Sequence, residues 1–297
     1  MRNDWYWFVG WVPTLLTVMG NGLVIYLIAT RRKLHTINNR FVLSLAMADL
    51  FVGLCFYPGQ VICHFWISCK YPSVIEDIGV LFIYSSVSNL CAMVLDRYIA
   101  IVKPLQYISL MTSHRASVAI ATAWLFPISA YFIPSLCASL NLFGLNVNVS
   151  VVVWTTMFEF IPCTLLLVVT VQAVITSRRH NRHDAQLTSQ IRFNQPNIKI
   201  ALHSASSLKV MTAVVAMFLS CYAVEVYSSF CYFTVFCNKR EGLFRVVHFL
   251  VIANSVANPV AYALFKRDIK SEFDKIFRRK RAKTITRNCQ RTGRTSV

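Results

Sequence analysis

Asp49 sits in the stretch Leu45-Ala46-Met47-Ala48-Asp49-Leu50, a carboxylate among apolar neighbours. An ionisable group in a lipid-crossing helix is costly, so it marks a candidate site. Asn21 (in Gly20-Asn21-Gly22), Asn254, Ser255 and Asn258 are polar groups at comparable depth in their own apolar stretches. Their chemistry has two readings, which the residues alone leave open. The oxygens can surround a cation, or the groups can hydrogen-bond one another as a structural cluster worth about 1 kcal/mol per contact.

Asp96-Arg97-Tyr98 closes another apolar stretch. An Asp beside an Arg at a membrane boundary can pair locally and leave the Arg available to a cytoplasmic partner; the plain alternative is a snorkelling Arg. In Asn258-Pro259-Val260-Ala261-Tyr262 the proline removes a helix hydrogen bond, and Asn258 is expected to satisfy the freed carbonyl. Four acids, Glu76, Asp77, Glu159 and Glu225, fall in or near the outer halves of the spans. Facing inward, they favour a cationic ligand such as a basic peptide, an amine or a divalent metal ion. Glu76 and Asp77 are better explained by a helix N-terminus, where negative charge suits the dipole. Glu159 and Glu225 lie deeper and are the stronger ligand candidates.

These residues need elements that hold them in lipid. The chain has 297 residues, of which 56% are hydrophobic and 14% charged, too apolar for an ordinary soluble domain. A bilayer core takes about 20 apolar residues per helix. Seven such segments can be marked, at 7–29, 41–63, 73–102, 115–137, 151–176, 205–236 and 243–265. The fold expected is an all-α membrane protein: a seven-helix transmembrane domain over 1–265, an amphipathic membrane-surface helix over 266–281 and a disordered basic tail over 282–297. Ile269, Phe273, Ile276 and Phe277 fall on one face of that eighth helix. The first span is expected to be its own uncleaved signal anchor. The polar third inner segment, 177–204, is the expected flexible one.

Of the 30 Lys and Arg residues, 25 fall on one side of the alternating loops. That asymmetry places the N-terminus outside and the C-terminus in the cytoplasm of a multi-pass plasma-membrane protein. The net charge of +18 therefore reads as topology, with attraction to anionic membrane lipids as a second effect, and not as nucleic-acid binding. Cys69, Cys137, Cys231 and Cys237 lie at the outer ends, where an oxidising compartment permits bridges. Asn148-Val149-Ser150 is a glycosylation sequon in the expected second outer loop.

In combination these stretches resemble the rhodopsin-like (class A) G-protein-coupled receptors. Gly20-Asn21-Gly22-Leu23-Val24, Leu45 to Asp49, Leu95-Asp96-Arg97-Tyr98-Ile99-Ala100-Ile101, Trp124, Pro162, Phe218 with Cys221, and Asn258 to Tyr262 follow in the family's order. The resemblance implies a receptor, not an enzyme, that binds an extracellular ligand and activates a heterotrimeric G protein. It implies that Asp96, Arg97, Tyr98 and Tyr262 serve coupling. It also implies that Asp49, Ser86, Asn254, Ser255 and Asn258 form a sodium pocket, with sodium the one expected bound ion.

Several positions depart from the family. Its sixth-span Trp and Pro are here Tyr222 and Val224, which should straighten that helix. Tyr222 joins Glu225 and Glu159 as the expected ligand pocket. Ser204 replaces the acid that pairs with the third-span Arg, implying raised basal signalling, and Thr170 replaces a fifth-span Tyr. The usual third-span Cys is Pro72; a Cys69–Cys137 bridge and its absence are both open. The Cys231 and Cys237 spacing resembles the melanocortin/adenosine/lipid branch. Gly79 stands where biogenic-amine receptors carry their Asp, and Ile252 where opsins carry the retinal Lys. The rival class is a membrane transporter or ion channel, whose polar intramembrane residues line a path.

Overall fold

The structure, a computed structural model, describes residues 5–67, 74–139, 147–190, 197–233 and 241–275. Seven helices in it are long and apolar enough to cross a membrane: Trp7–Thr30, Ile37–Trp66, Val74–Val102, Ser113–Cys137, Val152–Arg179, Leu208–Ser229 and Arg245–Phe265. Their apolar faces point both outward and inward. Phe8, Met19, Trp66, Leu125 and Leu167 are exposed, as lipid-facing side chains must be, while Val24, Leu27, Leu45, Leu90, Met211 and Phe218 fill the bundle interior. A smaller outer cluster joins Val52, Phe56, Ile83, Val251 and Ile252.

Helix starts on the inner side follow local chemistry. Thr36 accepts a hydrogen bond from the Asn39 amide at 3.3 Å, and Thr112 accepts one from Arg115 at 3.4 Å. Each satisfies an otherwise orphaned amide of a first turn. The second span accordingly begins at Ile37, four residues before its apolar run.

Besides the turn Cys63–Ile67 at the outer end of the second span, widened π-helical turns occur in the outer halves at Val52–Phe56, Ile128–Phe132 and Thr156–Phe160, and these three share a cause. Each contains the residue four positions before a proline. Pro58, Pro134 and Pro162 cannot donate to the carbonyls of Leu54, Ala130 and Phe158, and the ladder relaxes there. Trp154 Nε1 donates to the freed Ala130 carbonyl at 3.1 Å, tying the fourth span to the fifth.

Pro259 in the seventh span frees the Ser255 carbonyl in the same way, and here the structure corrects the sequence. The donor is Asn21 of the first span, at 3.0 Å, while Asn258 turns to Asp49. Gly20 makes this reach possible: a Cβ there would lie 2.8 Å from Pro259 Cγ, so only glycine lets the two helices approach.

The sixth span belongs to one continuous helix, Asn197–Phe233, without a proline or a widened turn. The fifth continues to Gln190. The third inner segment, expected to be flexible, is therefore helical wherever it is described; Arg, Gln, Ala and Leu keep a helix going beyond the bilayer. Residues 267–275 form a further helix, with Ile269 fully buried and Phe273 packed on the core. The rest of the expected eighth helix and the whole tail over 282–297 lie outside the described residues.

Candidate functional site

Among the described residues, buried polar side chains gather at mid-depth, at the inner mouth and in the outer half of the bundle. At mid-depth Asp49 is fully buried and accepts three hydrogen bonds. Ser86 Oγ and Ser255 Oγ donate to Oδ1 at 2.6 Å and 2.9 Å, and Asn258 Nδ2 donates to Oδ2 at 2.7 Å. The second, third and seventh spans are thus joined at one carboxylate. Asn254 is buried nearby but makes no hydrogen bond to Asp49. The side-chain oxygens of Asn21 and Asn258 are buried and receive no donor. Carboxylate plus orphaned carbonyl oxygens is the donor set a hard monovalent cation takes, so the residues fit a sodium ion. A second polar knot, unsuspected from sequence, sits beside it. Trp124 Nε1 donates to Ser44 Oγ at 2.9 Å, and Ser44 Oγ donates to Asn89 Oδ1 at 2.7 Å.

At the inner mouth Arg97 pairs with Asp96, both buried. Tyr107, from the single helical turn Tyr107–Leu110, donates to Asp96 Oδ1 at 2.7 Å. Burial, then the Asp96 charge, pushes the Tyr107 phenol above its ordinary value and keeps it a donor. Nothing in the spacing of residues 96 and 107 announced that partnership. Tyr98 donates to Gln172 Oε1 at 3.0 Å, so it braces the fifth span and lies apart from the Arg97 pair. Tyr262 is fully buried, its hydroxyl 3.5 Å from Met93 Sδ, between the Asp49 cluster and the inner mouth. The Ser204 side chain lies outside the described residues.

Lys266 follows the seventh span and is also buried. Its ammonium donates to Asn39 Oδ1, whose amide donates to Asp268 Oδ2 at 3.1 Å. Arg31 meets Glu272 at 3.4 Å and ties helix 267–275 to the end of the first span, while Lys275, one turn along the same helix, meets Glu272 at 2.5 Å. Burial lowers Lys266 from 10.5 to about 8, against the attraction of Asp268. Between those values the unfolded chain binds the proton that the folded chain has released, so stability rises with pH across that window. The gap corresponds to roughly 3 kcal/mol as an upper limit. Purified receptor should therefore gain thermal stability from pH 8 to pH 10, and Lys266→Met should flatten the gain. An unchanged slope in the variant would remove Lys266 as its source.

In the outer half, Glu159 is brought inward by its widened turn and faces the sixth span, where Ser229 Oγ donates to Oε2 at 3.0 Å. Glu225 lies within electrostatic reach of Glu159, as does the buried Tyr222, which stacks on Phe218 at 4.1 Å. Glu225 Oε2 is buried and unpartnered. Tyr84 lies face to face with Phe158 at 4.2 Å. Asp77 lies in the first turn of its helix, as read from the sequence, but it is also buried: it is 6% exposed, and Tyr131 donates to its Oδ1 at 2.9 Å. Gly79 sits against the second span, where a Cβ would meet Phe56 Cα at 2.8 Å, so no side chain fits.

Of the two possibilities open for Cys69 and Cys137, the structure takes the unbridged one, since Cys137 is a free thiol. Cys63 is the disulfide-bonded cysteine of the second span, its partner lying outside the described residues. A pairing depends on Cα separation, which spacing in sequence does not disclose. Cys69 and Cys237 lie outside the described residues, as does the side chain of Cys231. Asn148 belongs to the first turn of the helix Val147–Thr155 and not to a loop; its side chain is likewise outside the described residues.

Residues 20–262 match the model of the 7 transmembrane receptor (rhodopsin family). Similar proteins include the octopamine receptor beta-2R of Chilo suppressalis, 26% identical over 87% of this chain and 76% of its own length. The human adenosine receptor A2b is 29% identical over 90% of this chain and 88% of its own length. The histamine H2 receptor of Canis lupus familiaris is 26% identical over 95% and 81%. The match sets aside the transporter or channel reading and any enzymatic role. The chain is a multi-pass membrane protein that binds an extracellular ligand and couples to G proteins, and it belongs to the rhodopsin family of seven-transmembrane receptors.

Proposed function

We propose that this receptor lies in the plasma membrane with its N-terminus outside and responds to a small cationic amine held by Glu159 and Glu225 beside Tyr222. The observation that carries this reading is Glu225 Oε2, buried without a hydrogen bond next to a second buried carboxylate. A buried acid pair without a cation is unfavourable in a low-dielectric interior. An ammonium group supplies the missing donors and charge. Similar proteins are named for octopamine, histamine and adenosine. Relative to amine receptors the anionic anchor has moved, because Phe56 leaves Gly79 no room for a side chain.

In this reading sodium occupies the Asp49 cluster and favours the inactive bundle by binding it more tightly than the active one. Arg97, released from Asp96, meets the heterotrimeric G protein, with Tyr262 holding the open inner cavity and Tyr98 bracing the fifth span. The 25-to-5 split of basic residues supports the orientation and contact between the inner face and anionic lipids. Asn148 is then on the outer side, where it can carry a glycan.

The test is G-protein activation by a panel of biogenic amines and by adenosine, on the natural receptor and on Glu225→Gln. Amines should activate, and the variant should lower their potency by about 10–100-fold, the loss of one charge-assisted contact. Activation by adenosine alone, or equal amine potency in the variant, would end the amine reading.

A further inference from the structure

Asp77 has no role in what precedes. It is an acid in the outer half of the third span, 6% exposed, with one oxygen held by Tyr131 and the other, Oδ2, buried without a hydrogen bond. Among the described residues it has no ion-pair partner. A first-turn carboxylate that only served the helix dipole would turn toward water. This one turns into the bundle and leaves an acceptor open.

Its surroundings connect it to the other acids. The Tyr131 ring that binds Asp77 meets Tyr84 edge to face at 4.9 Å and Trp154 at 4.9 Å. Tyr84 stacks on Phe158, the residue before Glu159. A continuous aromatic surface therefore runs from Asp77 to the Glu159/Glu225 pair. Aromatic faces with carboxylates at either end suit organic cations. Among the described residues no three His, Cys, Asp or Glu side chains converge as metal ligands do. Asp77 and Tyr84 are seven positions apart on one helix, a rise of about 10 Å from Asp77 to the Tyr84/Phe158 stack that adjoins Glu159.

We propose that Asp77 with Tyr131 is a second cation subsite, and that the ligand carries two cationic centres about 10 Å apart. This rests on the reading of Glu159 and Glu225 as the first anchor. The ligand class is a linear diamine, a polyamine, or a short peptide with a free amino terminus and one basic side chain.

The experiment compares linear diamines of increasing length with monoamines of matched length, scored by G-protein activation and by thermal stabilisation of the purified receptor. One diamine length, with its nitrogens about 10 Å apart, should exceed its monoamine by at least tenfold in potency. Asp77→Asn should abolish that advantage and leave monoamine potency unchanged, whereas Glu225→Gln should weaken both series. Asp77→Glu carries the charge one methylene further from the backbone, toward the Glu159/Glu225 pair, and should shift the optimum to a shorter diamine. A purely structural Asp77 would produce no such shift. Monoamines active through Glu225 with no diamine advantage, or an advantage that survives Asp77→Asn, would overturn this proposal and leave the first anchor standing. No response to any amine would overturn both.

Discussion

Arg97→Ala should reduce receptor-driven nucleotide exchange at least 30-fold, to the level of cells without the receptor. Arg97 is a buried, paired positive charge at the inner mouth, and removing one partner from a buried charged contact costs about 2–5 kcal/mol. The lower end of that range is already roughly 30-fold. The same change takes from Asp96, 1% exposed, its paired guanidinium and leaves the Tyr107 hydroxyl as its hydrogen-bond donor. A fold defect must therefore be separated from a coupling defect. Arg97→Lys keeps the charge and the pairing with Asp96 but loses the planar fork. It should reach the surface at natural levels and still couple poorly. Surface-expressed Arg97→Ala with natural exchange rates would exclude Arg97 from the coupling surface.

The second large effect is expected at Asp49. Asp49→Asn replaces an acceptor oxygen with an NH2 group, and on the Asn258 side donor then faces donor. The carboxylate charge that would hold sodium disappears as well. In membranes carrying the natural receptor, replacing potassium by sodium should lower basal nucleotide exchange. In Asp49→Asn the two salts should give the same rate. Sodium sensitivity that survives the substitution would exclude this cluster as the ion's site. Basal exchange needs no ligand, so this result is independent of the amine reading.

The seven spans are legible because bilayer thickness sets a minimum length that apolar runs either meet or miss. Asp49, Ser255 and Asn258 are legible because a polar residue in such a run stands out against its neighbours. Partners from distant stretches are not. Asp77 has a sufficient local explanation in the helix dipole, and only the fold brings Tyr131, 54 positions later, against it. The Ser255 carbonyl is similar: proline chemistry says it is freed, but its donor, Asn21, comes from the other end of the chain. Ser86 is indicated only by the family resemblance, while nothing in the sequence around Ser44 and Asn89 points to their contact with each other and with Trp124. Whether Cys137 is bridged is open in the sequence, because pairing depends on a Cα separation that only the fold sets; in the structure it is a free thiol.

The unbroken helix Asn197–Phe233 behaves mechanically as a stiff rod about 55 Å long. Phe218, fully buried and stacked on Tyr222, is the natural fulcrum. Glu225 lies about 10 Å to the outer side of it and Asn197 about 30 Å to the inner side. Without a hinge, drawing Glu225 toward Glu159 by 1 Å should swing the inner end outward by about 3 Å. Distances between spin labels on the inner ends of the third and sixth helices, with and without an activating amine, measure that ratio. A sixth helix that moved only below Phe218 would show a bend instead. A receptor built with a proline hinge spends part of its stroke on bending, whereas this one transmits the whole stroke as leverage.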